Sequence, residues 1–152
     1  MQIKIKKLRD CAKIPVRGTQ DSAGLDLCAA LEEKLVLPPG KSALIPTGLA
    51  ISLPSNDYVA LVFPRSGLAV KHGVGLLNSV GVIDSDYRGE LSVGLINQFD
   101  CPYTIEPGER IAQMLIVPIA IPELTVVPEL DETDRGAGGF QGCILHGAAL
   151  AD

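Results

Sequence analysis

Asp84 and Asp86 stand one residue apart in GVIDSDYRGEL, Gly81 to Leu91, with Tyr87, Arg88 and Gly89 behind them. Carboxylates at this spacing could ligate a cation, shape a polar turn or take a proton from water. A calcium loop starting at Asp84 requires Asp or Asn at its fifth position and Glu at its twelfth. This chain has Arg88 and Leu95 there. A guanidinium cannot ligate a cation, so the calcium reading fails. A turn rich in Asp and Gly between two apolar runs stays open, as does a catalytic carboxylate.

Other segments carry groups of similar ambiguity. In PRSGLAVKHG, Arg65 offers a planar fork to phosphate oxygens, Ser66 a hydroxyl, and Gly67 a backbone that a ligand can approach. GLAVKHG predicts about two helical turns from Gly67, with Ser66 able to cap the first and leave amide N–H groups to an anion. Gln113 lies in GERIAQMLIVP among mainly apolar residues, where its amide must find a partner. SAGLDL sets Asp26 amid small and apolar residues, and RGAGGF hangs Arg135 and Phe140 on a glycine-rich chain suited to a flap. PPGKS tempts as a phosphate loop, but a Walker motif needs glycine where Leu35 stands. Pro38-Pro39-Gly40 therefore reads as a turn.

These groups need elements to hold them. The 152 residues, 47% of them apolar, suit one domain that buries roughly 70% of its unfolded surface. Sixteen glycines and eleven prolines leave no room for long helices. Between them lie short β-rich runs: Ile3–Ile5, Leu35–Leu37, Ala43–Ile45, Leu49–Leu53, Val59–Phe63, Gly75–Leu77, Leu91–Ile96 and Ile111–Val117. Many short strands joined by turns predict a β-sandwich or jelly roll. In CAALEEKL, Leu27, Ala30, Leu31 and Leu35 follow helical spacing, so either a short helix or, as preferred here, a polar turn interrupts the strands. After Asp131 strand formers become rare and glycine frequent, which predicts a mobile tail.

Several classes are disfavoured. No apolar run reaches the ~18 residues of a membrane span, and MQIKIKKLRD lacks the apolar core of a signal peptide. A soluble cytoplasmic protein is expected. Cys11, Cys28, Cys101 and Cys143 form no C-x-x-C, and His72 and His146 belong to no ligand cluster, so neither disulfides nor zinc are expected. A net charge of −5 argues against a nucleic-acid polymer as partner. A small anion stays possible where local Arg and Lys overcome the global field.

In order along the chain, AGLDL, PRSGLA, GVIDSDYRGE, GERIAQ and RGAGGF resemble the five motifs of trimeric dUTPases, over roughly residues 1 to 142. That resemblance implies a homotrimeric all-β jelly roll or distorted barrel with at most one short helix. Residues 1–133 would form the β-domain, and 134–152 a flexible tail closing over the site. It implies Mg2+-dependent hydrolysis of dUTP to dUMP and diphosphate, which keeps uracil out of DNA and supplies dUMP for dTMP synthesis. Asp84 would be the general base, Gln113 would orient groups near the α-phosphate, and Asp26 would act on the metal through water. The triphosphate itself would be the main magnesium ligand. Asn78 and the backbone of Gly81, Val82 and Ile83 would read uracil, and Tyr87 would lie under the deoxyribose, excluding a 2′-hydroxyl. Arg65, Ser66 and Gly67 of another subunit would hold phosphates, with Arg135 on the γ-phosphate and Phe140 over the base.

The tail departs from the family pattern. Phe140 precedes Gln141-Gly142-Cys143 where relatives carry Gly-Ser-Thr-Gly or similar, and no Ser or Thr follows Thr133. Two other readings compete: a dCTP deaminase-like enzyme of the same fold, and a non-catalytic, dUTP-binding regulatory trimer. Arg65-Ser66-Gly67 in place of Arg-Ser-Ser and the RGAGGF tail disfavour the first, and Asp84, Asp26 and Gln113 disfavour the second. Truncation before Arg135 should cut dUTP turnover sharply while leaving the fold intact, measured as diphosphate release beside a circular-dichroism melt. Full turnover by the truncated chain would make the tail dispensable.

Overall fold

The computed structural model of the chain describes residues 1–138. Its elements begin with β1 (Lys4–Lys7), β2 (Val16–Arg17), β3 (Leu25–Cys28), β4 (Leu35–Leu37), β5 (Ser42–Pro46) and β6 (Leu49–Ser52). Next come β7 (Tyr58–Pro64), the single short helix α1 (Ser66–His72), β8 (Val74–Leu76) and β9 (Gly81–Ile83). β10 (Ser92–Asn97), β11 (Tyr103–Ile105) and β12 (Arg110–Pro118) complete the fold. Every strand pair is antiparallel, in sheets ordered β2-β3-β12-β7-β9, β5-β10-β8, β1-β6 and β11-β4. The arrangement is a jelly roll. All these elements lie within one compact unit, Met1–Ile121. A second unit starts at Pro122, and its described part holds no strand or helix.

Alternation in the strands builds the core. Along β10, Val93, Leu95 and Asn97 turn inward while Ser92 faces solvent. They meet Leu27, Leu37, Ile45, Leu49, Ile105, Ile111 and Met114, all at most 2% exposed. Full burial of each such aliphatic side chain is worth about 1.5–3 kcal/mol. β12 is an inner strand, paired with β3 on one edge and β7 on the other.

Each predicted β-run lies on a strand, and Pro38-Pro39-Gly40 is a turn: the Lys41 N–H donates to the Pro38 carbonyl (3.1 Å) and Gly40 has φ +65°. Four short strands carried no such signal, because β2, β3, β9 and β11 have two to four residues and mixed polarity. The helical option for CAALEEKL is not taken. Ala29 and Ala30 give their amides to the carbonyls of Glu109 and Pro46 (both 2.8 Å), so no helical ladder starts there. Ser66 is also not the cap of α1. It is the first helical residue, and extended Arg65 (φ −93°, ψ 127°) is the N-cap, without a side-chain cap bond. The Arg65 carbonyl accepts from the N–H groups of Leu68 (3.1 Å) and Ala69 (3.0 Å), which starts the helix one residue early. Left-handed Gly73 closes it.

Asn97 is the buried polar residue that stitches β10 to its surroundings. Its Nδ2 donates to the carbonyls of Leu37 (3.1 Å) and Cys101 (2.7 Å), and its Oδ1 accepts from the Phe99 N–H (3.1 Å). Asn97→Ala strips partners from three backbone groups and should cost about 1–3 kcal/mol. Urea unfolding at fixed protein concentration measures it, and an unchanged midpoint would show that those groups find other partners.

Candidate active site

Asp26 sits on β3 directly opposite Gln113 on β12. Its Oδ1 meets Arg65 Nε at 3.2 Å and its Oδ2 meets Arg110 Nη1 at 3.0 Å. Arg65 also donates from Nη1 to the Arg110 carbonyl (2.9 Å), so both guanidiniums are held around one carboxylate. Gln113 donates from Nε2 to the Pro64 carbonyl (3.0 Å), the partner that its apolar surroundings demanded. Gly24 lies close beside it: a Cβ there would come within 2.5 Å of Gln113 Oε1, so the Gln113 side chain would have to shift. These residues, with Ser66, Gly67, Gly18 and Ser22, line a cleft of about 220 Å³. Two guanidiniums against one carboxylate leave one positive charge in excess, which suits an anion. A Cβ at Gly67 would meet nothing within 4 Å, and its φ is not left-handed, so nothing among the described residues demands glycine there.

One irregularity makes this cluster possible. In a regular strand residues 110 and 113 face opposite sides. Between Arg110 and Ala112 the register with β3 shifts, a β-bulge that leaves Ile111 and Ala112 both buried. Arg110 and Gln113 therefore reach the same cleft. Arg110 was not singled out from the sequence; the bulge that recruits it has no local signature in GERIAQ. Cys28, the register partner of Arg110, has its thiol pushed up mainly by burial, which keeps it protonated and poorly nucleophilic.

The hairpin residues line a different cleft, of about 390 Å³, where Val82, Ile83, Asp84, Tyr87 and Glu90 face Leu44. β9 is the edge strand of its sheet, paired to β7 through Gly81, Val82 and Ile83, so its outer backbone edge has no partner strand among the described residues. A tight turn precedes it: Val80 donates its N–H to the Asn78 carbonyl (2.6 Å) across Ser79 at φ +63°. Asp84 opens the following turn, its carbonyl accepting from the Tyr87 N–H (3.2 Å). Arg88 closes it by donating from Nη1 to the carbonyls of Ser85 (2.8 Å) and Tyr87 (2.9 Å). The two clefts share no lining residue. Arg135 lies in the second unit, where its Nε donates to the Gly138 carbonyl (2.9 Å), and Phe140 lies outside the described residues.

Comparison with known proteins decides the family. The dUTPase family model matches residues 10–144. The chain belongs to the dUTPase family. It is 50% identical to the deoxyuridine 5′-triphosphate nucleotidohydrolase of Neisseria meningitidis serogroup A, over 96% of this chain and 97% of that one. Among solved dUTPases, a Staphylococcus bacteriophage 80alpha mutant with dUpNHpp superposes with a TM-score of 0.84 at 32% identity, covering 93% and 98% of the two chains. A mutant dUTPase from phage phi11 of S. aureus, described with a structural Mg(II) ion, gives 0.79 at 29% identity, covering 87% and 100%.

The dUTPase hairpin is tethered to the rest of the jelly roll by Glu90. Arg9 donates to both its carboxylate oxygens (2.8 and 3.1 Å), and the Gly48 N–H donates to Oε1 (2.8 Å). The Arg9 hydrogen bond, followed by that of Gly48 and opposed by partial desolvation, holds the Glu90 carboxyl below its ordinary range. A depressed carboxylate stabilises the fold above its unfolded value, near 4.3, and loses that contribution as pH falls through the folded value. Glu90→Gln should therefore melt below wild type at pH 7, with the gap closing below about pH 4. A gap independent of pH would mean that the Glu90 charge contributes nothing to stability.

Proposed function

We propose that this chain hydrolyses dUTP to dUMP and diphosphate by water attack on the α-phosphorus, with Asp84 as the general base. The observation that carries the reading is a carboxylate, Asp84, and an aromatic, Tyr87, lining one cleft with Val82 and Ile83 of β9, a strand whose outer edge has no partner strand among the described residues, in a dUTPase-family chain. The outer edge of β9 offers backbone donors and acceptors that can imitate a pairing partner for uracil, with Asn78 beside it. Tyr87 occupies the position under the deoxyribose. Arg65, Ser66 and Gly67 take phosphates in the other cleft, where the bare backbone of Gly67 admits close approach, and Gln113 orients the α-phosphate region.

The first cleft falls below the ~300 Å³ typical of a small-molecule site and has no residue in common with the hairpin cleft. This supports a homotrimer in which sites form between subunits, each uniting the phosphate cleft of one with the hairpin cleft of another. Arg135 and Phe140 close over the γ-phosphate and base from the tail, residues 134–152. The reading places the protein in the cytoplasm, where it keeps uracil out of DNA and supplies dUMP. Among the described residues no helix is long and apolar enough to cross a membrane.

Magnesium fits as a passenger of the substrate. Among the described residues no group of three or more His, Cys, Asp or Glu could hold a bare cation. Both oxygens of Asp26 already accept from guanidiniums, leaving lone pairs for metal-bound water. When bound, the ion would neutralise phosphate oxygens and fix the triphosphate's conformation.

The decisive experiment is a screen of dUTP, dCTP, dTTP and UTP for diphosphate and ammonia release. Diphosphate from dUTP alone is expected, whereas ammonia from dCTP would favour the deaminase reading and nucleotide binding without turnover the regulatory one. The shared site is tested by refolding Asp84→Asn together with Arg65→Ala. Each alone should lose activity, Asp84→Asn by about 10²–10⁴ in kcat, and the mixture should exceed both parents. A mixture no better than their average would place both groups on one chain's site.

A further inference from the structure

Gly89 is a glycine without a conformational reason. Its φ is not in the left-handed region, so any residue could adopt its backbone. Space explains it instead: the three atoms that a Cβ there would meet first all belong to Tyr87, with Oη and Cζ closest and Cε2 at 2.9 Å. The Tyr87 ring thus lies against the bare α-carbon of Gly89. Its hydroxyl donates to the Glu90 carbonyl (3.2 Å), the residue whose carboxylate is clamped by Arg9 and the Gly48 amide. A path of direct contacts therefore runs from the fixed end of the hairpin to the phenol. Gly48, at φ +70°, is equally confined, since a Cβ would come within 2.6 Å of Ala12.

We propose that Gly89 is a specificity-determining positioning residue. By leaving room for the Tyr87 ring against its α-carbon, it sets the height of the sugar platform and so the rejection of a 2′-hydroxyl. The proposal rests on the reading of Tyr87 as that platform. A methyl group at position 89 lifts or swings the ring, and the sugar pocket changes depth without any change in the groups that attack or hold the phosphates. Discrimination is a difference of transition-state binding, and it fails when the surface that rejects the competitor moves.

The test compares wild type, Gly89→Ala, Tyr87→Ala and the double variant by kcat/KM for dUTP and for UTP. Gly89→Ala should raise the UTP:dUTP ratio by about 10-fold or more, chiefly through KM. In the Tyr87→Ala background the same substitution should add nothing, because the ring it displaces is gone. Independent, multiplicative effects would overturn the proposal, since a merely structural role would persist without the ring. A ratio moved by Tyr87→Ala and unmoved by Gly89→Ala overturns it while sparing the platform reading. A ratio unmoved by either variant overturns both, and wild type inert towards dUTP overturns the proposed function itself. Should Gly89→Ala fail to fold, a folded double variant supports the proposal, because removing the ring removes the collision; an unfolded double overturns it.

Discussion

β12 pairs with β3 from Arg110 to Met114 and with β7 from Ala112 to Pro118, and the bulge at Ile111 is the one place where its register breaks. The cleft around Asp26 depends on this break. A regular strand would send Arg110 and Gln113 to opposite faces and bury one of them in the core. The extra residue instead buries Ile111 and Ala112 in succession and turns both polar neighbours outward to Asp26. Pairing on both edges keeps the bulge in register, and the β7–α1 junction then brings Arg65 to the same carboxylate.

The two clefts are built by different physics. The cleft around Asp26 is a tertiary object, with side chains from two strands, a loop and a helix start, its carboxylate held by charge-assisted hydrogen bonds. Its local excess of positive charge stands against a net charge of −5 for the whole chain. Over the first few ångströms the near charges dominate, so an acidic protein can still receive a polyanion. The hairpin cleft is largely a local object. Its turns at Ser79 and Asp84–Tyr87 close with bonds between residues two or three apart, and Arg88 ties the second turn to itself. Such a loop keeps its shape but must still be fixed to the body, which is the task of Glu90, Arg9 and Gly48.

Glycines in this chain answer to three separate constraints. Gly40, Gly48 and Gly73 have left-handed backbones that a turn or helix end requires. Gly24 and Gly89 have ordinary backbones and yield their side-chain space to Gln113 and Tyr87. Gly67 has neither reason among the described residues, and it lines the cleft around Asp26. A sequence prints the same letter for all three.

The sequence by itself determined the fold class, because alternating apolar runs punctuated by Gly and Pro leave few ways to bury a core. It also singled out Asp26, Arg65, Asp84, Gln113 and Tyr87 as candidates, because those side chains lie in motifs whose order and spacing could be matched, and each of them lines a cleft. Tertiary structure alone decided the short strands β2, β3, β9 and β11, whose pairing comes from neighbours rather than from their own propensity. It moved the start of α1 to the Arg65 carbonyl and gave the Ala29 and Ala30 amides to distant partners. It also recruited Arg110 through the bulge and laid the Tyr87 ring against the bare α-carbon of Gly89. In each case the deciding partner is far away in sequence or set by space, and neither leaves a mark in the local order of residues.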